Sequence, residues 1–101
     1  MHGQALWSTR DVLMRLLADP VPPRYPEALR RAGVEGEVVV KFLVDTTGRV
    51  EMRTVEILRS THEAFTAAVR ETLTRLRFSP AVAGERKTNA LAVMPFRFTL
   101  R

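Results

Sequence analysis

Residues Tyr25 to Val50 read YPEALRRAGVEGEVVVKFLVDTTGRV, and this stretch decides the fold. Nearly every residue in it has a geometric role, and none brings obvious catalytic chemistry. Pro26 suits the first turn of a helix, where its missing N–H goes unused, and Gly33 suits the left-handed residue that ends one. A helix of about two turns is expected between them, with Ala28, Leu29 and Ala32 as one apolar stripe and Glu27, Arg30 and Arg31 facing elsewhere. Gly36 then releases the chain into Val38, Val39, Val40, Phe42, Leu43 and Val44, a β-branched and aromatic run that predicts a strand. Its more apolar face is Val38, Val40, Phe42 and Val44, and the other mixes Val39 and Leu43 with Glu37, Lys41 and Asp45. Asp45-Thr46-Thr47-Gly48 supplies an Asx-type turn and a glycine able to take positive φ, so a second strand should return antiparallel.

Working outward, Val50 and Met52 share one parity and Val55 and Ile57 the other, which requires a bulge near Arg53-Thr54 if all four face the core. Ser60-Thr61-His62-Glu63 offers a capping box, and Phe65, Val69, Thr72, Leu73 and Leu76 recur at helical spacing, predicting a helix over about 61–76. Phe78, Pro80 and Val82 form an extended exit, and Ala83 to Lys87 reads as a surface loop. The last strand spans about 88–100, with Ala90, Ala92, Met94, Phe96, Phe98 and Leu100 inward. Pro95 cannot donate a ladder hydrogen bond, which places this strand at a sheet edge. Toward the N-terminus, Leu6, Leu13, Leu16 and Leu17 fit one helical face with Ser8 and Asp11 as a capping pair, and the low β-branched content favours helix; an extended run over Val12 to Leu17 is the alternative that periodicity alone does not exclude. Asp19 to Pro23 ends either structure in a polyproline-like linker. The organisation expected is an N-terminal extension over 1–19, a linker over 20–24 and one domain over 25–101. Its class is α+β, a small three-stranded, mostly antiparallel sheet with two helices packed on one face.

Composition narrows function mainly by exclusion. The 101 residues carry 16 Lys plus Arg against 11 Asp plus Glu, which raises nucleic acid, anionic lipid and acidic partners. The arginines are dispersed, with no basic run longer than two residues, and read as a solvated surface. Phe42, Phe96 and Phe98 fall on the inward parity, which argues against a base-stacking sheet. No apolar run reaches the ~20 residues that cross a bilayer, so the chain reads as soluble, a piece of a longer anchored protein. Cysteine is absent and His2 and His62 have no clustered partners, so neither disulfide nor zinc site is expected. Gly33, Gly36 and Gly48 are turn residues rather than a phosphate loop. Ser60 and Ser79 lack a histidine at catalytic spacing, and Glu63 reads as a cap carboxylate. Tyr25 reads as a packing anchor ahead of a ligand contact, and Trp7 as either terminal packing or a partner anchor. No enzyme and no cofactor is expected; a binding module is.

In their order and spacing, Tyr25-Pro26, Gly33-Val34-Glu35-Gly36, Asp45 to Val50, Arg77-Phe78-Ser79-Pro80-Ala81 and Pro95-Phe96-Arg97-Phe98 give the chain its resemblance to a known family. From about residue 21 to 100 it resembles the C-terminal domain of TonB-type energy transducers of Gram-negative envelopes. Leu76 departs from the pattern, standing where many members carry tryptophan, and the second strand looks slightly longer. The resemblance implies a periplasmic domain, tethered through a spacer to an inner-membrane helix and working with ExbB and ExbD. It implies capture of the TonB box of outer-membrane transporters as a strand beside the last strand. The receiving edge would be Leu91, Ala92, Val93, Met94, Pro95 and Phe96, with Arg24 and Tyr25 nearby. A homodimer through edge strands is a further expectation. The residues point the same way, since an open edge recruits extended peptides, and Leu91 and Val93 await cover from a partner or from residues 1–19. The alternatives are a TonB-like or TolA-like module of another envelope scaffold, and a small basic nucleic-acid binder.

Overall fold

The computed structural model describes residues 6–8, 12–15, 22–79 and 81–100. Along the chain lie β1 (Leu6–Ser8), β2 (Val12–Arg15), α1 (Glu27–Arg31), β3 (Gly36–Val44), β4 (Val50–Ser60), α2 (Glu63–Leu73), β5 (Ala81–Ala83), β6 (Arg86–Thr88) and β7 (Ala90–Phe98). The main sheet has three antiparallel strands in the order β4-β3-β7, as the sequence predicts. Val38, Val40, Phe42 and Val44 of β3 are all fully buried, and Ala90, Ala92, Met94, Phe96 and Phe98 continue their face on β7. Phe65, Val69 and Leu73 of α2 close over this face, and Leu29 of α1 packs against it. Each such Val, Leu or Phe contributes about 1.5–3 kcal/mol relative to exposure, so this face is the main source of hydrophobic stabilisation among the described residues.

The predicted bulge is present. Lys41 pairs with Glu56 and Leu43 with Glu51, so β4 places residues 52–55 where β3 has only Phe42. Thr54 fills the gap: its Oγ1 accepts from the Leu43 N–H at 2.9 Å and donates to the Glu51 carbonyl at 2.6 Å. As a result Val50, Met52, Val55 and Ile57 all reach the core despite their mixed parity.

Other elements differ from expectation. α1 has five residues rather than two full turns, and Pro26 is its N-cap rather than part of its first turn. Gly33 ends it at φ 71°, with the Val34 N–H bonded to the Leu29 carbonyl at 2.9 Å and the Gly33 N–H to the Arg30 carbonyl at 3.1 Å, a Schellman pair. Of the expected stripe only Leu29 is half-buried; Ala28 and Ala32 are exposed, because a helix this short lays only one side chain on the sheet. The capping box also gives way. His62 is the N-cap of α2, its Nδ1 accepting from the Ala64 N–H at 3.0 Å, and Glu63 is the first helical residue. Thr61 is unavailable as a cap because its Oγ1 accepts from the Glu37 N–H at 3.0 Å, stitching β3 to the start of the helix. The segment read as a loop folds as the β5–β6 hairpin, turned at Gly84 with φ 65°. β5 pairs with β2, and β2 with β1, in a second antiparallel sheet of order β1-β2-β5-β6. The helix favoured for the N-terminal segment is thus not formed at 6–8 or 12–15, both of which are strands, and the extended alternative for Val12 to Leu17 is met at 12–15. Asp11, Leu16, Leu17, Pro20 and Pro80 lie outside the described residues.

The β3–β4 turn is closed by one carboxylate and one glycine. Asp45 Oδ1 accepts from the Thr47 hydroxyl at 2.6 Å, the Thr47 N–H at 2.9 Å and the Arg49 N–H at 3.1 Å. These bonds favour the ionised carboxylate, the Thr47 hydroxyl most, and hold the Asp45 pKa below its ordinary 3.8. Gly48 takes φ 89°, and a Cβ there would strike the Phe78 carbonyl, while the Phe78 N–H bonds the Gly48 carbonyl at 2.8 Å.

Two outcomes follow from this turn. Gly48→Ala should lower stability in urea unfolding by about 2–3 kcal/mol, whereas Gly33→Ala, with open space around its Cβ, should lose about 1 kcal/mol. Equal losses would contradict the contact with Phe78. The stability margin of wild type over Asp45→Asn should be full above about pH 4 and shrink as pH falls through the depressed Asp45 pKa; a margin constant down to pH 2 would contradict it.

Candidate functional site

β7 pairs with β3 on one side, and among the described residues no strand pairs with its other side. Which backbone groups face that open side follows from the central strand. The Leu43 N–H points to Thr54 of β4, and the Glu37 carbonyl accepts from Thr61 just beyond β4, so odd-numbered residues of β3 address β4. Even-numbered ones must then address β7. The register sets Leu43 opposite Leu91, Lys41 opposite Val93, Val39 opposite Pro95 and Glu37 opposite Arg97. These four β7 residues are therefore at non-hydrogen-bonded positions toward β3 and turn their backbone groups to the open edge. Pro95, lacking an N–H, falls at a position where β3 asks nothing of it. The edge thus offers the N–H of Leu91, Val93 and Arg97 and the carbonyls of all four.

The same alternation sorts the predicted site residues. Leu91 and Val93 are 40% and 41% exposed, and Pro95 is exposed beside them. Ala92, Met94 and Phe96 are buried in the core and address β3, so their side chains cannot touch a partner. Their part is to hold the edge in place. Arg24 is exposed, and Tyr25 is half-buried.

Tyr25 anchors the approach to this edge. Its ring meets Phe65 and Phe98 edge-on, both at 5.6 Å, and those two rings stack at 4.2 Å. Its hydroxyl donates to the Val34 carbonyl at the end of α1. Burial, then the charge of Glu35, raises its pKa, so the phenol keeps the proton it donates. The chain before it is thereby held against the end of β7: Pro22, Pro23, Tyr25, Arg97, Phe98 and Thr99 line a groove of about 170 Å³. A second groove of about 340 Å³ lies between Arg24 to Glu27 and the Ala67, Ala68 and Glu71 side of α2.

Sequence reasoning stopped the site at Phe96 and missed Arg97, which shares the parity of Leu91, Val93 and Pro95 and ends their row. Extending the alternation one step would have found it. Among the described residues no group of His, Asp and Glu side chains could hold a metal. Phe42, Phe96 and Phe98 are buried, which leaves the outer face of the sheet without a stacking platform for bases.

This arrangement defines an α+β domain with β7 as an edge strand whose outer side is unpaired among the described residues. The chain belongs to the Gram-negative bacterial TonB protein C-terminal family, whose model matches residues 21–100. It is 31% identical over 80 residues to the protein TonB of Pseudomonas aeruginosa, a match covering 78% of this chain and 23% of that protein, so the chain spans about a quarter of the relative's length. The solution NMR structure of the Pseudomonas aeruginosa TonB C-terminal domain superposes with a TM-score of 0.74 at 26% identity, covering 97% of this chain and 95% of that one.

The edge geometry makes a direct prediction for the free protein. In amide exchange by NMR, Leu91, Val93 and Arg97 should exchange fast while Ala92, Met94, Phe96 and Phe98 are protected. Uniform protection along β7 would mean that its edge is covered.

Proposed function

We propose that this domain is the partner-gripping end of a periplasmic energy transducer, capturing the TonB box of outer-membrane transporters by strand addition to β7. The observation that carries this reading is the alternation along β7, which leaves a row of unpaired backbone groups beside exposed Leu91, Val93 and Pro95. Backbone pairing gives affinity with little sequence demand, and the alternate side chains add selectivity. The domain acts without catalysis or cofactor, and the whole transducer works with ExbB and ExbD in an inner-membrane complex. Among the described residues no helix is long and apolar enough to cross a membrane, so that anchoring role falls to no described part of this chain. The same edge, left free, can pair with that of a second copy.

Strand addition also suits the transmission of force. A segment pulled along its own length loads several ladder bonds together in shear, so a complex of modest affinity can carry tension.

Titrating a TonB-box peptide into the labelled domain should shift the amides of Leu91, Val93 and Arg97 most, together with Arg24 and Tyr25. Shifts confined to α2 or to the β3–β4 turn would contradict the reading.

A further inference from the structure

α2 is capped by a histidine although two hydroxyl side chains precede it. The His62 Nδ1 accepts from the Ala64 N–H at 3.0 Å. A backbone N–H can only donate, so this nitrogen carries no hydrogen and the ring is neutral, with its proton on Nε2. Neither hydroxyl is free to replace it. The Ser60 Oγ accepts from the His62 N–H at 3.3 Å and the Thr66 hydroxyl at 2.6 Å, and donates to the His62 carbonyl at 3.0 Å. The Thr61 Oγ1 accepts from the Glu37 N–H at 3.0 Å. The turn that this cap starts carries the aromatic cluster: the Phe65 and Thr66 N–H groups bond the His62 carbonyl at 3.1 and 3.2 Å. Phe65 is fully buried, stacks on Phe98, meets Tyr25 edge-on, and has the His62 ring edge-on at 6.0 Å. His62 itself is exposed, so a proton reaches the ring without unfolding.

We infer that His62 is a proton-operated switch at the entry of α2. Protonation puts a hydrogen on Nδ1, and the cap acceptor becomes a second donor facing the Ala64 N–H. It also sets a positive charge at the helix end where the macrodipole disfavours one. The bond opens, the first turn of α2 loosens, and with it the hold of Phe65 on Tyr25 and Phe98. Around the ring, the charged and titratable groups are Glu63 on α2, Arg59 on β4, Glu37 on β3, Arg97 on β7 and Tyr25 of the linker. Glu37 is shared by Arg59 and Arg97, and Tyr25 bonds the Val34 carbonyl. Among the described residues no carboxylate pairs with the imidazole, so none compensates an imidazolium there. Because the neutral ring makes the bond, the closed state is complete at neutral pH and is lost as pH falls through the range where histidine gains its charge, roughly pH 8 to 5. A serine or asparagine cap has no such dependence. The switch operates whatever the open edge of β7 binds.

The test is NMR on the labelled protein between about pH 7.5 and about pH 5. At the upper pH the long-range nitrogen spectrum of the imidazole should show Nδ1 bare and Nε2 protonated; the opposite tautomer would overturn the cap on which the switch depends. Towards the lower pH, exchange protection of the Ala64 amide, corrected for intrinsic exchange, should fall about fivefold in wild type. The ring signals of Tyr25, Phe65 and Phe98 should move with the same midpoint. In His62→Asn, whose carboxamide oxygen accepts at every pH in this range, protection should stay level to within about twofold. His2 is present in both proteins, so the difference between them belongs to His62. Level protection in wild type, or an equal fall in His62→Asn, would overturn the switch. Ring signals that stay fixed while Ala64 opens would overturn its reach into the aromatic cluster.

Discussion

Because β3 is the central strand, it must divide its backbone between two neighbours while burying one face completely. Its odd-numbered residues address β4 and its even-numbered residues address β7, and the even-numbered side chains Val38, Val40, Phe42 and Val44 fill the core. Everything functional on β7 follows from that division. Residues that bond β3 are the ones whose side chains are buried, so the residues left with free backbone groups are those whose side chains face water. Pro95 fits this scheme only with its ring on the outer face and its missing N–H on the open side. The result, among the described residues, is an edge whose free backbone groups lie beside an exposed row of side chains.

Among the described residues, the rest of the fold holds that edge in place without pairing with its open side. The Asp45 turn and the Gly48–Phe78 contact tie the β3–β4 hairpin to the exit of α2. At the other end, Tyr25, Phe65 and Phe98 join the linker, α2 and the last residue of β7 in one aromatic cluster. That cluster fixes where Pro22 and Pro23 run and hence where the open edge stops. Leu76 is almost wholly buried in the core, so the corner after α2 is closed.

The central strand, both helices, the bulge and the edge position of β7 were legible in the sequence because each rests on a strong local signal. Alternating valines define β3, and the parity conflict between Met52 and Val55 demands a bulge wherever both are to be buried. The misread parts are those where tertiary contacts outbid local pattern. Ser60-Thr61-His62-Glu63 has the form of a capping box, but the Ser60 hydroxyl is engaged by the His62 backbone and the Thr66 hydroxyl, and His62 caps instead. The β5–β6 hairpin has three-residue strands, too short for alternation to show, and only Gly84 marks its turn. The edge was legible as an edge, and the same alternation carries its outward row one step further to Arg97, whereas the ion pairs of Glu37 with Arg97 and Arg59 are visible only in the fold.

The central claim is that a partner segment adds to β7 as a strand. An isotope-filtered NOE experiment on the complex with a transporter's TonB-box segment tests it most directly. The account predicts contacts from the backbone protons of the peptide to the amide protons of Leu91, Val93 and Arg97, a two-residue ladder interrupted at Pro95. Contacts made instead with the α2 side of the Arg24 to Glu27 groove, with β7 amides untouched, would contradict it.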